Sequence, residues 1–121
     1  GNGKSNIDTK IGFFNHMLEA LSKHSGIDIN LICEGDIEVD YHHSVEDCGI
    51  VLGQALKKEI FPVQNIERYG EATIVMDEAS TTCDLDLSNR AFLVYEVNIF
   101  GEVGNFDVEL AQEFFQALTT N

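Results

Sequence analysis

The chain has 121 residues, 44% hydrophobic and 23% charged, which suits one compact domain or a duplicated pair of small ones. Seven Lys and Arg against 21 Asp and Glu leave a formal charge of −14, a sign that repels phosphate backbones and argues against a nucleic-acid partner. No apolar run approaches the roughly 20 residues of a membrane span and no charged-then-apolar leader is present, so a cytoplasmic protein with no membrane partner is expected. Cys33, Cys48 and Cys83 are isolated and odd in number, which fits free thiols in a reducing compartment.

Gly1–Asn6 is polar and reads as a loop. Asp8–His24 carries a helix signal, with Phe13, Phe14, Met17, Leu18 and Leu21 forming one apolar stripe. Ile27, Ile29, Leu31 and Cys33 alternate with polar residues, as do Ile37, Val39 and Tyr41 after the turn Glu34-Gly35-Asp36. That pattern predicts a hairpin with one wet face. Ser44-Val45-Glu46-Asp47 is a capping-box signature opening a second helix that runs to about Glu59. Gly49 and Gly53 in that helix permit close approach of another backbone, in this chain or in another subunit.

Strands follow at about Glu71–Met76, Thr81–Leu87 and Phe92–Ile99, then a loop at Gly101–Gly104. A third helix at Asp107–Leu118 carries Leu110, Phe114, Phe115 and Leu118 on its apolar side. His16-Met17-Leu18-Glu19-Ala20-Leu21 aligns with Glu113-Phe114-Phe115-Gln116-Ala117-Leu118, a weak internal repeat or a chance likeness of two amphipathic helices.

All four histidines, His16, His24, His42 and His43, precede residue 44. His42-His43-x-x-Glu46 lies where a strand gives way to a helix. On a helix Glu46 shares a face with His42 at i, i+4 or with His43 at i, i+3. Imidazole nitrogen and carboxylate oxygen together suit Mn²⁺, Fe²⁺ or Zn²⁺. Adjacent His42 and His43 point about 100° apart on a helix, so two metals are the natural inference. The alternative is an exposed polar pair beside a helix cap. His24 and Lys23 also suit a helix C-terminus.

Cys48 reads as core, Asp84 and Asp86 as a wet strand face, and Asp77-Glu78 as a site or a solvated turn. Arg68 and Arg90 are the only arginines, each able to bind phosphate bidentately or to pair with a neighbouring carboxylate. No HExxH, P-loop, GxGxxG or GxSxG motif is present.

Ile11-Gly12-Phe13-Phe14-Asn15-His16-Met17-Leu18, Gly35-Asp36, His42-His43-Ser44-Val45-Glu46-Asp47 and Leu52-Gly53-Gln54-Ala55-Leu56 resemble the imidazoleglycerol-phosphate dehydratase family. Arg68-Tyr69-Gly70, Met76-Asp77-Glu78-Ala79, Leu85-Asp86-Leu87-Ser88-Asn89-Arg90 and Phe106-Asp107-Val108-Glu109-Leu110 continue the likeness in order along the chain. Two positions depart from the family pattern: Asn15 replaces a usual Asp and Asn89 a usual Gly.

The resemblance implies an α+β fold, a duplicated small α/β sandwich with helices packed on one face of mixed sheets. Residues 1–66 would form the first repeat and 67–121 a second repeat that is incomplete. It also implies conversion of imidazole glycerol phosphate to imidazole acetol phosphate and water in histidine biosynthesis, with two Mn²⁺ per site. The partners would be that small phosphorylated imidazole and further copies of the chain, in trimers or 24-subunit shells.

By matching position, His16, His42, His43 and Glu46 would be metal ligands, with Glu113 a weaker one. His24, Arg68 and Arg90 would bind substrate, and Glu19 and Asp77 would carry protons. A second HHxxE motif, which the family's sites need, is not found, so the 121-residue span alone is expected to be inactive, with the apolar side of its last helix uncovered. Two other readings stand beside this one: a non-catalytic metal-binding or oligomerisation domain, and a metal-dependent phosphoester hydrolase.

Overall fold

In a computed structural model describing residues 1–121, β1 (Ser5–Asp8) lies parallel to β2 (Ile29–Ile32), with Ser5 opposite Ile29 and Asp8 opposite Ile32. The helix α1 (Gly12–Ser25) makes the crossover between them, as parallel neighbours require. The N-terminal segment is therefore not all loop. The alternation in Ile27–Cys33 correctly marks a strand with Ile29 and Leu31 buried, but its partner is β1. The predicted hairpin does not form: residues 34–41 are turn and loop, tied by Val39 N–H donating to the Asp36 carbonyl. Alternation shows that a strand has two unlike faces; it does not choose the strand beside it.

Phe14 and Leu18 of α1 are buried, while Met17 and Leu21 of the same stripe are two-fifths exposed. Gly26, at φ 74°, ends α1 in the left-handed conformation and donates its N–H to the Ser22 carbonyl.

The helix α2 (His42–Ile60) begins two residues before the expected cap. Ser44 is already inside its first turn, so the capping box is not used. Asp40 acts instead, its Oδ1 accepting the His42 N–H at 2.8 Å. Against α2 packs α3 (Leu110–Thr120), whose Phe114 and Ala117 are buried. The apolar side of α3 is thus largely covered from within the chain, although Phe115 stays 43% exposed. The glycines Gly49 and Gly53 abut α3, resolving which backbone comes close.

The core joins Ile11, Phe14 and Leu18 of the first half, Val45 and Cys48 of α2, and Phe106 and Phe114 of the second half. Phe14 meets Phe114 edge-on with ring centroids 5.5 Å apart. The expected boundary at residue 66 falls in the connection between α2 and β3.

β3 (Tyr69–Met76) and β4 (Ala79–Asp86) form an antiparallel hairpin whose residues are all exposed. Its two-residue loop is Asp77-Glu78, with Asp77 at φ 51°, a conformation that Asp tolerates better than most residues. The predicted strand at Phe92–Ile99 does not form. Its apolar, β-branched and aromatic residues suit a strand, but no segment of the chain gives it ladder hydrogen bonds. The loop expected at Gly101–Gly104 includes the short β5 (Glu102–Val103), which pairs with β6 (Phe106–Asp107).

Candidate functional site

His42 and His43 occupy the first turn of α2, with ring centroids 6.1 Å apart and planes at 84°. The two ring planes are therefore nearly perpendicular. His42 Nε2 lies 3.7 Å from Glu46 Oε2, the i, i+4 alternative. Two ligands about 2.1 Å from one ion are separated by roughly 3.0–3.4 Å in octahedral or tetrahedral geometry, so a small side-chain adjustment would let this pair share an ion. His43 Nδ1 lies 3.0 Å from Asp36 Oδ2, and that bond leaves Nε2 available. The hydrogen bond to His43 holds the Asp36 carboxyl below the usual range, and the same bond raises His43 above the ordinary imidazole value. Asp40 and Asp47 add smaller effects in the same direction on His43.

Gly35 is seated against Ser44, where any Cβ would overlap the Ser44 Oγ. Ser44 is buried, and its hydroxyl has no partner. The absence of a side chain at 35 brings the 34–36 turn down onto the start of α2, which places Asp36 beside His43.

The other expected residues are dispersed. His16, Glu19 and His24 are exposed on α1, and His24 lies in its last turn with Lys23. Glu113, also exposed, borders a depression of about 230 Å³ with Tyr95, Glu109 and Gln112, apart from the histidines. Burial raises the Tyr95 phenol there. No three His, Cys, Asp or Glu side chains gather as a metal-binding group, so the expected ligands form pairs within one chain and not a full set. In kind, the His42–Glu46 pair and the free nitrogen of His43 fit a divalent ion.

The fork of Arg68 is engaged by Asp86, Nε at 2.7 Å and Nη2 at 3.2 Å, and its guanidinium lies 4.9 Å from the centre of the Tyr69 ring. This is the pairing alternative weighed for the arginines, and Arg68 is not free for phosphate in this state. Arg90 is exposed, and its charge helps depress the Asp86 carboxyl after the larger effect of Arg68. The hollow of about 460 Å³ beside them is lined by Glu71, Asp84 and Asp86, an acidic wall unsuited to an anion. Asp77 sits at the far tip of the same hairpin, roughly 30 Å away by strand rise, and cannot act beside Arg68 within one chain.

A family model for imidazoleglycerol-phosphate dehydratase matches residues 9–121. The chain belongs to that family. It is 72% identical over its whole length to an imidazoleglycerol-phosphate dehydratase of Aliarcobacter butzleri and 61% identical to one of Campylobacter hominis. The chain spans 64% of the length of each of these curated relatives.

Among solved structures, imidazoleglycerol-phosphate dehydratase from Staphylococcus aureus N315 superposes with a TM-score of 0.88 at 40% identity, over 96% of this chain and 66% of that one. The Pyrococcus furiosus protein in complex with (S)-C348 gives 0.83 at 35% identity, over 97% and 64%. The expected α+β class therefore holds.

Membership in the imidazoleglycerol-phosphate dehydratase family makes the Asn89 departure intelligible. Asn89 has φ 56°, a backbone state that Gly adopts freely and Asn tolerates, so Asn can stand in for Gly before Arg90. Asn15 also keeps an acceptor in place, its Oδ1 receiving the Thr9 N–H at 2.8 Å and the Thr9 hydroxyl at 2.6 Å. Residue-by-residue reading of the sequence overlooked Asp36 and Asp40 as partners of the histidine pair. The available signal was a carboxylate two residues before His42, the spacing of a backbone-capping Asx turn. Nothing local points from Asp36 to His43.

Proposed function

We propose that this chain supplies metal- and substrate-binding residues to a dehydratase that converts imidazole glycerol phosphate to imidazole acetol phosphate and water in histidine biosynthesis. The observation that carries the reading is His42 beside Glu46, next to a His43 with Nε2 left free, in a chain matched to this family over residues 9–121. Divalent manganese, two ions per site, would supply a Lewis acid that holds the substrate imidazole and stabilises negative charge developing on it.

The chain's own groups do the rest. His42, His43 and Glu46 present one imidazole–carboxylate pair and one outward imidazole, with His16 and Glu113 as further ligands drawn from other helices. Glu19 follows His16 by three residues on α1, so a proton lifted from substrate held near His16 is within its reach. Asp77 is the second proton carrier and must act on a site other than the one Arg68 serves in its own chain. His24 contacts substrate from the end of α1. Arg90 orients the phosphate, and Arg68 joins it by exchanging the Asp86 carboxylate for a phosphate oxygen. Loss of one carbon-bound hydrogen and one hydroxyl balances as water, and the enol left behind becomes the ketone by proton return.

A site completed by further copies of the chain is consistent with ligands that one chain does not gather. So is the hairpin's exposed apolar surface at Ile74, Val75 and Met76. No helix is long and apolar enough to cross a membrane, and a cytoplasmic location is part of the proposal.

The test replaces the matching stretch of the Aliarcobacter butzleri relative with these 121 residues, of which 72% are already identical. The chimera, given Mn²⁺, should dehydrate imidazole glycerol phosphate within about tenfold of the parent rate. A folded chimera without turnover overturns the reading. Release of inorganic phosphate instead would indicate a phosphoester hydrolase.

A further inference from the structure

Four observations converge on the turn before α2. Gly35 is seated on Ser44, where a Cβ would overlap the Ser44 Oγ as it is placed. The turn is closed by Val39 N–H donating to the Asp36 carbonyl at 2.8 Å. Asp40 holds the backbone of His42 through its N–H. Asp36 Oδ2 lies 3.0 Å from His43 Nδ1, while Nε2 of the same ring is unengaged. The turn is thus fixed at both ends, and the carboxylate it carries is delivered to one nitrogen of one histidine.

We propose that Asp36 is a positioning residue: its carboxylate accepts the Nδ1 proton of His43, fixes that tautomer and ring orientation, and turns Nε2 outward as the nitrogen offered to a divalent cation. A neutral imidazole carries its proton on either nitrogen, and without a partner the Nε2–H form is available. In that form the outward nitrogen carries the proton and cannot bind an ion. A carboxylate behind a ligating histidine removes this ambiguity and raises the basicity of the free nitrogen. His42 lacks such a partner: its Nε2 faces Glu46, a fellow candidate ligand. The two adjacent histidines are therefore unequal, one backed by a carboxylate and one beside it.

The inference rests on the proposed metal role of His43, and the experiment separates the two. In metal-free protein, ¹⁵N–¹H correlation spectra above the His43 titration should show the Nδ1–H tautomer in wild type and a shift to Nε2–H in Asp36→Ala. Mn²⁺ binding, followed by the paramagnetic resonance of the free ion, should weaken about 10- to 100-fold in Asp36→Ala. Asp36→Asn keeps an acceptor for the proton, so it should retain the wild-type tautomer and bind with intermediate affinity, which also covers the case of a poorly folded alanine variant. His43→Ala should lose one Mn²⁺ equivalent. Unchanged tautomer in Asp36→Ala, or unchanged affinity where His43→Ala loses its equivalent, overturns the positioning role. Unchanged Mn²⁺ binding in His43→Ala overturns the metal role of that histidine, and the proposal with it.

Discussion

A Cβ on Gly53 would lie 2.5 Å from the carbonyl oxygen of Leu118. One turn earlier, a Cβ on Gly49 would lie 2.7 Å from the Phe114 carbonyl oxygen and 2.8 Å from the Ala117 Cβ. The α2–α3 contact is therefore backbone against backbone along a glycine stripe. Adding one methyl at Gly53 forces the helices apart, and overpacking of this kind costs about 1–3 kcal/mol. Gly53→Ala should lower the denaturant midpoint accordingly. Gly12→Ala is the control, since a Cβ at Gly12 meets nothing within 4 Å and should be neutral or stabilising by up to about 1 kcal/mol. Equal effects of the two substitutions would refute the close-approach account.

The metal pair gives a second prediction. His42→Ala and Glu46→Ala should each remove the same Mn²⁺ equivalent, because the two side chains would serve one ion. The double variant should lose no more than either single one. Additive loss, measured by equilibrium dialysis with metal analysis, would show that they serve different ions.

The Arg68–Asp86 pair predicts a pH dependence in acid. Asp86 is held below its ordinary value, first by the hydrogen bond to Arg68, so the pair's contribution is present above the usual carboxylate range. It is lost as pH falls through the lowered value, while Arg68, pushed up by the same partner, stays charged throughout. Tyr69 ring resonances should follow this titration through the guanidinium stacked on the ring, and Asp86→Asn should abolish it. In the assembled enzyme the same variant should strengthen inhibition by phosphate analogues. Arg90→Lys should raise KM for the phosphorylated substrate with little change in stability. Inhibition unaffected by both substitutions would remove the arginines from the site.

The three thiols should separate by accessibility. Cys48 is 4% exposed and is pushed up to about 12, chiefly by burial and then by Cys33 beside it, so almost none is thiolate at neutral pH. Cys83 lies on the exposed strand β4. A disulfide reagent should label Cys83 first and reach Cys48 only on unfolding. Rapid labelling of Cys48 in native protein would contradict the packing of α2.

The sequence by itself was enough to locate α1 and α3, because each repeats apolar residues at a period that only a helix turns to one side, and it located α2 through a capping signature that the helix then does not use. It also located the two strands on either side of Asp77-Glu78, which stood as a site or a solvated turn; the structure made it the two-residue loop of a hairpin. The HHxxE spacing was legible because a helix makes that neighbourhood local, while the structure chose His42 over His43 as the partner of Glu46. Tertiary structure decided which edge β2 pairs with, since alternation carries no information about the neighbouring strand, and it left Phe92–Ile99 without a ladder, since local composition supplies no partner. It decided that Gly49 and Gly53 face α3, and that Arg68 is spent on Asp86, 18 residues away. It alone brought Asp36 to His43, because that contact depends on how a turn is seated over Ser44, a matter of close packing that no periodicity records.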